Sequence, residues 1–259
     1  RSRSGLIDNV LTPESIRRAD LVICVSENTA NDISKEFPNA KGKLRVVYEG
    51  ATIFKESLDY TDTSRSKTKL SRPYVLFVGT LEPRKNLNRL ISAYAGLADK
   101  TKDVADLVIV GGKGWGGIDA EGLSKEHGIA HKVKVLGYVS DSQLLSLYNN
   151  ALFLAMPSLY EGFGLPLLEA MSRGIPVMTS NISSMPEVAG KAAVLVDPMS
   201  IESIADGLTK LLLDKTLRRT LGEAAKRRAN QFSWDLTAEK TLEIFDQAFD
   251  AHKRNLLIN

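Results

Sequence analysis

From Tyr74 onward two patterns alternate along the chain. Short runs are apolar at nearly every position, as in Tyr74-Val75-Leu76-Phe77-Val78. Between them apolar residues recur every three or four positions, as with Leu87, Leu90, Ile91 and Tyr94. A strand buried on both faces produces the first pattern and an amphipathic helix the second. The alternation predicts strands at 74–78, 106–110, 133–136, 151–155, 176–179 and 192–196. It predicts helices at 86–97, 119–127, 141–149, 165–172, 201–213, 215–231 and 235–253. The 141–149 helix has either Ser140 or Asp141 as its cap. Before Tyr74 the same reading gives a strand at 21–25 and a helix at 27–36, with Ser26 as N-cap and Phe37-Pro38 as its stop. A strand at 44–48 follows. Residues 55–72 are rich in Ser, Thr and charge, show no hydrophobic period and read as a solvated linker. Strands apolar throughout and separated by helices make an α/β protein, a doubly wound parallel sheet with right-handed crossovers. In such sheets ligands sit at the carboxyl ends of the strands, so the loops after the strands hold the candidate chemistry.

Composition narrows the function classes. With 43% hydrophobic and 25% charged residues, the 259-residue chain has an ordinary globular balance. A net charge of +3 does not mark a nucleic-acid binder. The one cysteine, Cys24, lies in a predicted strand and reads as a buried core residue; it excludes an internal disulfide. No apolar run approaches the roughly 18 residues of a membrane span. The opening Arg1-Ser2-Arg3-Ser4 has no apolar core behind it, so no signal peptide is expected, and the absence of an initial Met suggests a processed product or a fragment. The expected compartment is the cytoplasm.

Three loops carry candidate chemistry. The first, Gly79-Thr80-Leu81-Glu82-Pro83-Arg84-Lys85-Asn86, follows a strand and opens a helix, with two cations at the helix start. Dipole and side chains both favour an anion there. The second, Gly111 to Gly117, contains Gly112-x-Gly114-x-x-Gly117, the spacing of the dinucleotide fingerprint. It follows the second strand of its unit and has no acidic residue ending the next strand, so a flexible glycine loop beside a ligand is the preferred reading over an NAD site. The third is Pro157-Ser158-Leu159-Tyr160-Glu161-Gly162-Phe163-Gly164-Leu165-Pro166-Leu167-Leu168-Glu169. Its glycines admit close backbone approach and Pro166 suits a first helical turn. Glu161 and Glu169 flank the turn, and carboxylates accept well from paired sugar hydroxyls.

The segment from Glu161 to Glu169 resembles the E-x7-E motif of retaining glycosyltransferases with the GT-B fold, the family 4 group. The Glu-Pro-Arg-Lys-Asn run at 82–86 is most similar to its mannosyltransferase-like members. Gly137-Tyr138-Val139-Ser140 is similar to their base-side loop, and Val188-Ala189-Gly190 with Leu195-Val196-Asp197-Pro198 resembles the end of their donor domain. The likeness covers about residues 22–249. It implies a Rossmann-like C-terminal donor domain at 73–232 and a stub of the N-terminal acceptor domain at 1–54. The linker lies at 55–72, and a C-terminal helix at 233–259 crosses back toward the N-terminal domain. The implied reaction transfers a hexose, mannose favoured, from a nucleotide diphosphate sugar to a glycan or lipid-linked acceptor. A GDP-sugar is favoured over a UDP-sugar. Lys85 with Arg84 would neutralise the donor diphosphate, beside Gly79 and Thr80 of the same loop. Glu161 would contact the transferred sugar and Glu169 the ribose hydroxyls. The amides around Phe163, Gly164 and Leu165 would hold sugar and distal phosphate, and Tyr138 and Val139 would border the base. Thr80 is a departure, since many members carry Arg directly after the first-strand glycine; Arg84 is the candidate substitute.

The resemblance implies no cofactor and no metal. The sequence agrees, having no Asp-x-Asp dyad, and its His127, His131 and His252 do not cluster with Cys24 at ligand spacing. The family's acceptor loop has no counterpart here, so the chain reads as a donor-binding half, incomplete for catalysis by itself. The alternative is a non-catalytic module that binds a nucleotide sugar or a partner; an NAD-dependent oxidoreductase is a distant third. The apolar stripe of the last helix, Leu236, Leu242, Phe245 and Phe249, is expected to be partly exposed and to drive association. The stretch 215–228 carries six basic residues against Glu223, which suggests a peripheral membrane contact beside the plainer reading of a solvated helix face.

Overall fold

The computed structural model describes residues 10–51 and 70–258. The first four residues and most of the predicted linker, 55–69, lie outside the described residues. The chain divides into two compact units, one formed by 1–50 with 232–259 and the other by 51–231.

In the first unit a parallel pair, β1 (Val22–Cys24) and β2 (Leu44–Val46), is joined through the helix Glu27–Glu36. Ser26 Oγ accepts the Thr29 N–H, as its N-cap role predicts, and Cys24 is buried. The strand expected at 44–48 is shorter, because Tyr48 turns to the terminal helix Trp234–Ile258. Its carbonyl accepts from Thr237 Oγ1 at 2.7 Å, and its ring packs edge-on against Phe232. The terminal helix therefore presents Thr237 and Ile244 inward. Leu236, Leu242, Phe245 and Phe249 face solvent. We predict concentration-dependent association in light scattering that the double substitution Leu242→Glu, Phe245→Glu removes; a monodisperse monomer at all concentrations would contradict it.

The second unit is built on six parallel strands in the order β5-β4-β3-β6-β7-β8. They are β3 (Tyr74–Val78), β4 (Asp106–Val110), β5 (Val133–Gly137), β6 (Phe153–Met156), β7 (Val177–Ser180) and β8 (Ala193–Val196). The four inner strands are buried at every position, which is why their sequences are apolar throughout. β8 also reads as apolar, yet it is an edge strand and leaves Leu195 exposed. One face is covered by helices Leu87–Ala95, Ala120–Glu126 and Ile201–Leu213, which share a core with Val75, Phe77, Leu107, Ile109 and Phe153. On the other face Leu165–Ser172 packs against Lys215–Ala229 and bonds to Asp141–Asn150.

Several element ends follow from local chemistry. Ser140 caps the Asp141–Asn150 helix in a reciprocal box with Gln143, which decides between the two candidate caps. The helix expected from residue 86 begins at Leu87. Pro83–Lys85 forms a separate 3-10 turn, and Asn86 between them is left-handed, φ 60°. Short helices at Thr12–Arg18, Asp99–Lys102 and Met185–Ala189 are absent from the pattern reading, since so few residues cannot display a helical period.

Candidate active site

Strand order reverses between β3 and β6, so the crevice at their carboxyl ends is where such a sheet binds ligands. The loop after β3 and the loop after β6 both open into it. They are tied together by Leu159 N–H donating to Arg84 O at 2.7 Å and by Asn86. Asn86 Nδ2 donates to Pro157 O at 2.9 Å and Pro198 O at 2.7 Å, which explains why a buried residue keeps a left-handed backbone.

Three of the sequence-derived residues meet there. Lys85 Nζ lies 2.6 Å from Glu161 Oε1, and Arg84 Nη1 lies 2.6 Å from Glu161 Oε2. Lys85 and Glu161 are 6% and 5% exposed, so this is a buried pair. Ser158 Oγ, also buried, donates to the same Oε1 at 2.8 Å. Arg84 Nε pairs in turn with Glu82 Oε2 at 2.8 Å. Burial works against the Arg84 charge, but Glu161 and Glu82 outweigh it and hold the guanidinium above its ordinary range. Two cations and two carboxylates therefore form a neutral, hydrogen-bonded hub at the crevice. Neither Ser158 nor Glu82 was singled out from the sequence. A short hydroxyl residue three positions before Glu161 was the one available signal for Ser158.

Glu161 is held by its backbone as well. Its N–H donates to Ser183 Oγ, and its carbonyl accepts from Ser183 Oγ and Ser184 Oγ at 2.8 and 2.9 Å. Gly164 follows at φ 106°, where a Cβ would lie 2.5 Å from the Met185 methyl, so this helix start requires glycine. Leu165–Ser172 begins at once, with Pro166 in its first turn and Phe163 buried beneath.

Glu169 is buried one turn into that helix and does not join the hub. Its Oε2 accepts from Tyr148 Oη at 2.8 Å. Burial, and next the Glu169 carboxylate, push the Tyr148 phenol well above its ordinary value of 10.0. A raised folded-state value means that this contribution to stability is complete below about pH 10 and is lost as pH rises further. Denaturant unfolding should show stability falling above about pH 10, and Tyr148→Phe should flatten that fall while lowering stability at pH 7 by about 1–3 kcal/mol. Tyr138 and Val139 stand on the loop after β5, with Tyr138 86% exposed; Thr80 is also exposed.

The glycine-rich loop after β4 has a packing explanation. A Cβ on Gly111 would lie 1.9 Å from Gly79 O, and one on Gly114 2.6 Å from Glu82 Cγ. Gly111 and Gly114 let the β4 loop lie on the β3 loop, so one of the three fingerprint-spaced glycines, Gly114, has a packing role, while Gly112 and Gly117 meet no neighbour within 4 Å. His127 closes the Ala120–Glu126 helix and lies 3.1 Å from Ser92 Oγ. Among the described residues no three His, Cys, Asp or Glu side chains gather as a metal site.

The sequence model of the family described as glycosyl transferases group 1 matches residues 60–228. The chain belongs to that family. Group 1 relatives include the O-antigen chain mannosyltransferase B of Escherichia coli, 34% identical over 90% of this chain and 62% of the relative. The D-inositol 3-phosphate glycosyltransferase of Corynebacterium jeikeium is 32% identical over 95% of this chain and 62% of its own length. The chain thus spans less than two thirds of either. Among solved structures, the sucrose-phosphate synthase of Thermosynechococcus elongatus superposes with a TM-score of 0.78 at 26% identity, over 97% of this chain and 63% of that one. WaaG, a glycosyltransferase involved in lipopolysaccharide biosynthesis, gives 0.75 at 21% identity, over 94% and 70%, and shares the fold. The doubly wound parallel sheet with its flanking helices thus matches the GT-B glycosyltransferase structures.

Proposed function

We propose that this chain is the donor-binding half of a retaining hexosyltransferase that uses a nucleotide diphosphate sugar. The observation that carries the reading is the buried Lys85–Glu161 pair, joined by Arg84, at the sheet's switch point beside a glycine-opened helix start. When the donor's glycosidic bond breaks, negative charge grows on the phosphate oxygens. Fixed cations and helix-start amides in a partly dry crevice suit that charge. Lys85 and Arg84 exchange part of their pairing with Glu161 for the diphosphate, which frees Glu161 to accept from hydroxyls of the transferred sugar. The amides at Gly164 and Leu165 face the distal phosphate above Phe163. Glu169, oriented by Tyr148, accepts from the ribose hydroxyls, and Tyr138 and Val139 border the base. No metal or cofactor enters the scheme. Retention is what the likeness of the Glu161–Glu169 segment to the E-x7-E motif of retaining transferases implies.

Relatives named as mannosyltransferases support mannose as the transferred hexose, and the donor taken for it is GDP-mannose, with a glycan or lipid-linked acceptor in the whole protein. Among the described residues no helix is long and apolar enough to cross a membrane. A peripheral contact is assigned to Lys215, Arg219, Lys226 and Arg227, because Arg218 and Arg228 are spent on the carbonyls of Leu211, Leu212, Val188 and Glu187. Co-sedimentation with anionic but not neutral vesicles, lost on charge reversal of those four, is the expected result.

The deciding test is calorimetric titration with GDP, UDP, ADP, NAD and their sugar conjugates, without metal. Saturable GDP-mannose binding that disappears in Lys85→Ala and weakens in Glu169→Ala is expected. Preference for a UDP-sugar would reassign the base, and selective NAD binding would overturn the reading. Should this chain bind none of them, the titration is repeated on the longer protein, where failure would leave the non-catalytic module.

A further inference from the structure

Trp115 has no place in the donor scheme, and its position is unusual for so large an aromatic. It is 65% exposed, on the loop after β4, between Gly114 and Gly116. That loop is fixed along its length to the loop bearing Arg84 and Lys85. Leu81 N–H donates to Gly112 O at 3.0 Å, and Leu81 and Lys113 form a parallel bridge. Gly114 lies against Glu82 and Thr80, and a Cβ on Gly116 would lie 2.4 Å from the Pro83 ring. The backbone under Trp115 is therefore set against Glu82 and Pro83, immediately before Arg84, whose guanidinium is paired to Glu161. The backbone carrying this exposed indole is thus anchored to the loop that holds Arg84 and Lys85.

The side of the crevice matters. Glu169 and Tyr148 belong to helices on one face of the sheet. The loop bearing Trp115 runs instead into Ala120–Glu126, which packs with Leu87–Ala95 on the opposite face. The loop carrying Trp115 thus leads to the face of the sheet opposite the helices that hold Glu169 and Tyr148. A flat, exposed aromatic on a loop packed against the loop of Glu82 and Arg84 suits a pyranose, which has an apolar C–H face and a rim of hydroxyls.

We propose that Trp115, on the loop packed against Glu82, forms a subsite that stacks a sugar ring of the acceptor glycan. The proposal rests on the donor-half reading, and the experiment separates the two. Trp115 and Trp234 are the only tryptophans, so Trp234→Phe leaves Trp115 as the sole indole reporter. That variant is titrated with mannobiose, N-acetylchitobiose and lactose, and in parallel with GDP and UDP. One disaccharide should change the Trp115 emission saturably. Measured by ligand-observed NMR, its affinity should fall about tenfold in Trp115→Ala and be largely kept in Trp115→Tyr, the loss of one aromatic stacking contact. Nucleotide affinity should be unchanged in both. Absence of a saturable response, equal disaccharide affinity in Trp115→Ala, or a parallel loss of nucleotide affinity would each overturn the subsite. Nucleotide binding in the same samples would show that the donor reading stands, and binding of neither class would overturn both.

Discussion

Lys85→Ala is expected to lower nucleotide affinity by about tenfold to a hundredfold, the loss of one charge-assisted bond to phosphate. It should slow transfer by the longer protein by about 10²–10³-fold. The same substitution should also destabilise the fold, because Glu161 is buried and loses one of its two cations. Removing one partner of a buried pair costs about 3–5 kcal/mol, but here Arg84 and Ser158 still reach the carboxylate, so about 2–3 kcal/mol is expected. The two effects can be separated. Adding Glu161→Gln to Lys85→Ala removes the stranded charge and should recover most of the stability while nucleotide affinity stays low. Unchanged nucleotide affinity in Lys85→Ala, measured on folded protein, would remove the diphosphate role.

Gly111→Ala is the second large effect, and it acts on the fold. Gly111 adopts φ 150°, which side chains rarely tolerate, and a Cβ there would sit 1.9 Å from Gly79 O. Neither backbone can retreat. Gly79 N–H donates to Val110 O at 2.9 Å, and Gly111 N–H donates to Gly137 O at 2.9 Å. Strain of about 1–3 kcal/mol from the backbone alone, plus the overlap, predicts about 3 kcal/mol or more of destabilisation. In a chain of this size that is about 6–12 °C in Tm. Gly112 is the control, since a Cβ there meets nothing within 4 Å, and Gly112→Ala should change Tm little. Equal effects of the two substitutions would contradict this account.

Much of the architecture was legible in the pattern of apolar positions. The helices 27–36, 165–172 and 201–213 and the strands 74–78 and 106–110 appear at the ends their caps and periods predict. The end of Lys215–Ala229 differs by two residues from the expected 215–231. The edge position of β8 was not legible, because a run of apolar residues looks alike whether one neighbour or two will cover it. The orientation of the terminal helix was open for a similar reason. Its four large apolar residues point to solvent, while threonine and isoleucine positions meet the first segment.

For the site, sequence alone determined which residues could do the chemistry: a cationic loop after the first strand of the doubly wound unit and two carboxylates around a glycine turn. Charge, glycine content and position after a strand are local properties, and they are written in short segments. Only the tertiary structure decided which of them meet. Arg84 and Lys85 converge on Glu161 across 77 and 76 residues of chain, and Ser158 joins them, because β3 and β6 are neighbours in the sheet. Glu169 turns instead to Tyr148, 21 residues earlier, because two helices share one face. Pairings of this kind depend on strand order and helix packing, which are set by burial summed over the whole unit and not by any segment alone.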